Sequence, residues 1–114
     1  MIDDVFCKII SGELSAEVVY KDDDLWVIED IHPQAPVHLL IIPAKHFLKI
    51  EDLKKEDGLL GRALLLADKM AHDHGLGDKG YRLIINEGED GGKLVPHFHS
   101  HLLGGKRLGP KIVE

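Results

Sequence analysis

A chain of 114 residues, 44 % apolar and 30 % charged, has the length of one domain with a modest buried core, and its balance excludes a disordered chain. Twenty acidic against fourteen basic side chains give a net charge of −6, which argues against non-specific nucleic-acid binding yet leaves room for a small phosphate ligand at a local site. Cys7 is the only cysteine, and neither a basic-then-apolar leader nor a bilayer-length apolar run is visible, so the reading is one domain over residues 1–114, cytoplasmic, with no membrane partner.

In chain order, Val5 to Ser11 places Val5, Phe6, Ile9 and Ile10 at the spacing of a short amphipathic helix, stopped by Gly12. Val18 to Tyr20 and Leu25 to Glu29 read as strands joined by the turn-forming Asp22-Asp23-Asp24. The two prolines of His32-Pro33-Gln34-Ala35-Pro36 remove amide donors and mark a loop. His38 to Ile42 is a continuous apolar run bounded by prolines, which predicts a buried strand. Leu60, Ala63, Leu64, Ala67, Met70 and Ala71 then recur at helical spacing, which predicts one long helix from about Asp57 to His74, stopped by Gly75 and Gly77. Tyr81 to Ile85 reads as a strand, Asn86 to Gly92 as a glycine-rich loop, and Val95 to Leu103 as the last strand, ending at Gly104-Gly105. Strands around one long helix predict an α+β fold with an antiparallel sheet of about five strands and one long and one short helix.

The chemistry concentrates in His97-Phe98-His99-Ser100-His101. Side chains alternate on a strand, so the three imidazoles are expected on one face, with Phe98, Ser100 and Leu102 on the other. Three imidazoles on one face suit a metal site, since catalytic zinc often takes three protein ligands and a water. They equally suit nucleophilic catalysis, because a neutral imidazole carries a free lone pair near pH 7 and attacks phosphorus. The residue pattern alone leaves both open. The glycine-rich loop favours the second, because its backbone amides can cradle a phosphate next to His99, with Lys93 adding positive charge and Glu89 and Asp90 expected to face solvent.

His97-Phe98-His99-Ser100-His101-Leu102-Leu103-Gly104-Gly105 resembles the histidine-triad (HIT) motif. Phe6 with Lys8-Ile9-Ile10, Asp30-Ile31, Pro33-Gln34-Ala35-Pro36, His38, Ile42-Pro43 with Lys45-His46, Gly80-Tyr81-Arg82 and Asn86-Glu87-Gly88 resemble, in order, its nucleotide-binding (Hint) branch. The resemblance implies a HIT-like fold and a homodimer whose sheet continues across the subunits. It implies a purine mononucleotide site and metal-independent hydrolysis of adenosine 5′-phosphoramidate P–N bonds, without a cofactor. By that resemblance His99 is the nucleophile and carries the nucleotidyl group, His101 contacts a phosphate oxygen or the leaving group, His97 supports the site, and His38 stands behind them. Asn86, Gly92, Lys93 and Leu94 lie at the phosphate, Asp30 binds the ribose hydroxyls, and Val5, Phe6, Ile9, Leu14, Ile28 and Ile31 form the base cleft. His46 reads as structural or a cap, and His32, His72 and His74 as surface.

Three departures stand out. Lys93-Leu94 replaces the Gln-Ser of most relatives, and Leu94 cannot donate a hydrogen bond, which favours the alternative of a nucleotide-binding interaction module with little turnover. Ser100 is polar where relatives are apolar. Some relatives hold zinc through Cys-x-x-Cys aided by histidines; here the segment is Asp4-Val5-Phe6-Cys7, one thiol is missing, and the reading weighs a weakened site of Cys7, His46 and His97 but takes no metal.

Overall fold

A computed structural model describes residues 4–110 and 112–113. The Met-Ile-Asp start, read as carrying no leader, lies outside the described residues. Helix α1 spans Val5–Ser11, as its spacing predicts. Asp4 caps it, its carboxylate accepting the Cys7 amide at 2.8 Å. Gly12, at φ 87°, ends it in the left-handed conformation that glycine adopts without strain. Strand β1 (Val18–Lys21) turns at Asp22, whose side chain accepts the amides of Asp24 and Leu25, into β2 (Leu25–Glu29). Strand β3 (Val37–Pro43) follows the proline loop, then a 3-10 helix (Ile50–Lys55) and helix α2 (Leu59–Asp73). Helix α2 starts two residues later than predicted because Gly58, at φ 72°, is its N-cap. Strands β4 (Arg82–Ile84) and β5 (Ser100–Gly104) complete an antiparallel sheet of order β1-β2-β3-β5-β4.

Strand parity divides the apolar side chains between two faces. Leu39 and Ile41 of β3, with Val27 and Leu102, pack against α2 through Ala63, Ala67, Met70 and Ala71. Leu40 and Ile42 face the other way and, with Ile28, pack against Phe6 of α1. Because α2 covers one face of β3 and α1 the other, both of its faces are buried, which explains its unbroken apolar run.

The last strand differs from expectation. It was expected from Val95; it begins at Ser100, paired with Ile41, so of the three triad histidines only His101 lies on it. Pro96 has no amide to donate, and the His97 amide turns back to the Val95 carbonyl at 2.8 Å, so the ladder cannot extend upstream. The alternation of faces persists: Phe98 and Leu102 enter the α2 core while His97 and His99 contact Phe6. Ser100 is buried, and its hydroxyl has no partner among the described residues.

Candidate functional site

His97, His99 and His38 are buried and His101 half-buried, on the α1 side of the sheet. The Phe6 ring meets His97 and His99 edge-on, with centroids 5.6 and 5.0 Å away. His99 and His101 lie 5.1 Å apart, and His101 and His38 5.2 Å.

Hydrogen bonds fix the tautomers. The Nδ1 of His99 lies 2.7 Å from the His97 carbonyl oxygen, which only accepts, so Nδ1 carries the proton and the Nε2 of the neutral ring keeps its lone pair. The Gln34 amide donates to Nδ1 of His38 at 3.1 Å, so His38 is protonated at Nε2 and donates to Nδ1 of His101 at 3.0 Å. The Nε2 of a neutral His101 is therefore an N–H donor. The Nε2–H of His97 donates to the Pro43 carbonyl at 3.1 Å. This backbone carbonyl, from the end of β3, and the Gln34 amide of the proline loop give those two segments their place in the site.

Burial pushes the pKa of His99 down, and the charge of Lys93 adds to that; the His97 carbonyl and the carboxylates of Asp30 and Asp4 oppose it without reversing it. Burial likewise lowers His97. His101 is pushed down to about 4, by burial first and then by its neighbours His99 and His38. All three are neutral at pH 7, as an attacking imidazole must be.

Asp30 accepts the His32 amide at 2.8 Å and lies 3.4 Å from Nε2 of His38. A carboxylate has about four acceptor positions, so capacity remains for a diol. Phe6, Ile9 and Ile28 gather in one apolar cluster beside the triad, whereas Val5, Leu14 and Ile31 are exposed, Ile31 by 82 %. In the glycine loop, Asn86 donates to the Gly91 carbonyl at 2.7 Å, and the Gly92 amide to Glu89 at 3.0 Å, so these donors brace the loop itself. Lys93 donates to the Leu48 carbonyl and pairs with Glu87 at 3.3 Å. Glu89 and Asp90 are exposed, as expected, and Leu94 is 93 % exposed. His32, His72 and His74 are on the surface.

A second cluster adds Asp4 to Cys7, His46 and His97, the three residues of the weakened zinc site that the sequence reading declined. Asp4, Cys7, His46 and His97 bring their ligand atoms within 4.8 Å of one another. The Nδ1 of His46 is 2.9 Å and that of His97 3.2 Å from the Asp4 carboxylate, and the Cys7 sulfur is 3.5 and 3.6 Å from the same two nitrogens. Burial pushes the Asp4 carboxyl up, but the Cys7 amide, His97 and the Cys7 thiol outweigh it and leave the pKa below its usual value. One carboxylate, one thiol and two imidazoles form a donor set that Zn²⁺ accepts, and the Nε2–H bond from His97 to Pro43 is the outer contact that metal-binding histidines make. Asp4 carried a readable signal as a helix cap; its link to positions 46 and 97 did not.

Comparisons with known proteins bear on the family and the fold. The family model described as HIT domain matches residues 11–108. The purine nucleoside phosphoramidase of Escherichia coli (strain K12) is 43 % identical over 111 residues, covering 96 % of this chain and 93 % of that one. The crystal structure of a HIT family hydrolase from Clostridium thermocellum superposes with a TM-score of 0.92 at 44 % identity, covering 99 % of both chains. That of a histidine triad nucleotide-binding protein from Candida albicans gives 0.80 at 28 % identity, over 97 % of this chain and 87 % of that one.

Proposed function

The chain belongs to the HIT domain family, in its histidine-triad nucleotide-binding branch, and on that premise we propose that it is a purine nucleoside phosphoramidase, a hydrolase that cleaves adenosine 5′-phosphoramidates through a nucleotidyl group carried on His99. The observation that carries the reading is the bond from His99 Nδ1 to the His97 carbonyl at 2.7 Å, which leaves the Nε2 lone pair of a neutral, buried imidazole available to attack.

In the first step His99 Nε2 bonds to phosphorus and the P–N bond breaks. The ring then carries positive charge, and its Nδ1–H bond to the His97 carbonyl strengthens. The departing nitrogen takes a proton from the His38–His101 pair, which acquires one from solvent when the anionic phosphate arrives beside it. His101 presents this proton to the leaving group, and the hydrogen bond from His38 fixes its ring. In the second step water attacks phosphorus, the Nε2–P bond returns its electrons to His99, and the proton of the water passes back to the pair.

Phe6, Ile9 and Ile28, with the exposed Val5, Leu14 and Ile31, hold the base, and Asp30 accepts the ribose hydroxyls. Lys93 acts on the phosphate by charge while held by Glu87, next to the loop that Asn86 and Gly92 brace. Asp4, Cys7, His46 and His97 would hold Zn²⁺ if it bound, and the ion would supply there a structural tie between α1 and the triad. Residues 1–114 form one HIT domain, and two copies form a homodimer whose sheets join. The His99→Asn variant tests the assignment: hydrolysis of a fluorogenic adenosine phosphoramidate is lost while AMP affinity by calorimetry stays within a few-fold. Retained turnover refutes His99 as nucleophile.

A further inference from the structure

The neutral His38–His101 pair holds one hydrogen between its two rings. Nε2–H of His38 donates to Nδ1 of His101 over 3.0 Å, and Nδ1 of His38 accepts the Gln34 amide at 3.1 Å. To serve as an acid the pair takes up one further proton, and two nitrogens are open to it. Nδ1 of His38 faces the Gln34 N–H, so a proton there sets donor against donor. Nδ1 of His101 faces the Nε2–H of His38, so a proton there puts two hydrogens into one 3.0 Å gap. One of these two N–H groups then needs a different acceptor.

Asp30 supplies it. Its Oδ2 lies 3.4 Å from Nε2 of His38, and the ligand atoms of Asp30, His38 and His101 all lie within 4.8 Å of one another. At 3.4 Å the contact is longer than a formed N–H···O bond, which fits an N–H that points to His101 instead. Two bonds hold the carboxylate in place. The Asp30 amide donates to the His38 carbonyl at 3.0 Å, one step past the Glu29–Leu39 pair of the β2–β3 ladder, and Oδ1 accepts the His32 amide at 2.8 Å. Oδ2 is left facing His38. The His38 side chain is 3 % exposed and that of Asp30 19 %, so water screens the contact little. Burial, His99 and His38 all disfavour a proton on His101, and Asp30 opposes them.

We propose that Asp30 is a positioning residue for proton transfer, accepting the Nε2–H of His38 when the pair is charged and so freeing Nδ1 of His101 to hold the added proton, a role that rests on the phosphoramidase reading and adds to ribose binding. In the charged pair His101 carries N–H on both nitrogens. When the P–N bond breaks, its electron pair takes the proton of His101 Nε2, and His101 is left neutral with Nδ1–H. Its bare Nε2 accepts the proton of the attacking water in the second step. A carboxylate bound to the ribose hydroxyls keeps lone pairs for His38, since it has about four acceptor positions. One side chain thus serves both the nucleoside and the proton donor.

Leaving-group dependence separates this role from ribose binding. The full chain and its Asp30→Asn variant are assayed with two substrates of the same nucleoside, an adenosine 5′-phosphoramidate of an alkylamine and adenosine 5′-(4-nitrophenyl phosphate). The alkylamine leaves only with a proton, whereas nitrophenolate leaves without one. Ribose contacts are common to both substrates and cancel in the ratio of their kcat/KM values. General acid catalysis contributes about 10²–10⁴-fold, and Asn keeps an acceptor oxygen without the charge. The expected result is a fall in kcat/KM at least tenfold larger for the alkylamine substrate than for the nitrophenyl ester. A smaller difference, with both substrates falling alike, leaves Asp30 a ribose ligand alone and overturns the proposal while the phosphoramidase reading stands. Wild type that does not turn over the phosphoramidate overturns that reading, and the proposal with it. If Asp30→Asn has a lowered melting temperature, Asp30→Ser, whose hydroxyl also accepts the His32 amide, replaces it, with the same ratio expected.

Discussion

Acidification destabilises this fold through its triad histidines, and the half-buried His101 contributes a share of the effect that a single substitution isolates. Its pKa in the folded chain is about 4 against an ordinary value of 6.5. A histidine whose pKa is lowered by folding binds a proton more readily when unfolded. Stability is therefore complete above 6.5 and is lost as pH falls below it. Between about pH 7.5 and about pH 5 the linkage integral for this one group is at most about 2 kcal/mol, and solvent screening of a half-buried ring brings it to about 1 kcal/mol. His97 and His99, also lowered, add in the same direction. Asp4 and Asp22, whose carboxyls are lowered from 3.8, lose their contribution only at more acidic pH, so the window isolates the imidazoles. The assay is urea unfolding at a fixed protein concentration at both pH values, for wild type and His101→Gln. The variant should lose about 1 kcal/mol less than wild type on acidification. An equal loss in the two proteins, or wild-type stability that does not fall, refutes the account of His101 as a half-buried neutral imidazole.

Phe6→Ala removes the ring packed on Ile28, Leu40 and Ile42 and set edge-on to His97 and His99. It should cost roughly 3–5 kcal/mol in urea unfolding and reduce turnover further than the folded fraction accounts for. Ser100→Ala deletes a buried hydroxyl with no partner among the described residues, and a stability gain of about 1 kcal/mol is expected; a loss of stability would show that the hydroxyl is satisfied. Leu94→Ser places a hydroxyl on a position that is 93 % exposed. Unfolding should shift by less than ~0.5 kcal/mol, while kcat rises at least tenfold, toward the ~10²-fold value of one transition-state donor. Unchanged kcat would mean that the position is outside the reaction path.

The local elements were legible because local chemistry determines them. Asp4 and Gly12 cap α1 at its predicted ends, and the carboxylate of Asp22 makes the turn between β1 and β2. The start of β5 was misread because alternation persists through residues 97–99 while Pro96 denies them a ladder. Apolar pattern reports which way a side chain points, and hydrogen bonding decides where a strand begins. The triad, Asp30 and Phe6 were readable as motif residues and come together in space. The tautomers were not readable, since each depends on a backbone group brought in by folding: His97 for His99, Gln34 for His38 and Pro43 for His97 itself. Of the Asp4–Cys7–His46–His97 cluster, the last three were grouped through the resemblance, whereas the place of Asp4 among them was illegible, because it is set only when α1 docks on His46 and His97.

The account stands on His99 as the atom-transfer site, and one measurement reaches it directly. Enzyme mixed with an adenosine phosphoramidate is stopped within one turnover by denaturation at alkaline pH, where a P–N bond survives, and its peptides are analysed by mass spectrometry. The account predicts an adenylyl group on His99, formed and lost at rates that match turnover and missing from His99→Asn. Adenylylation of another residue, or full turnover with no adenylylated enzyme at any time, would contradict it.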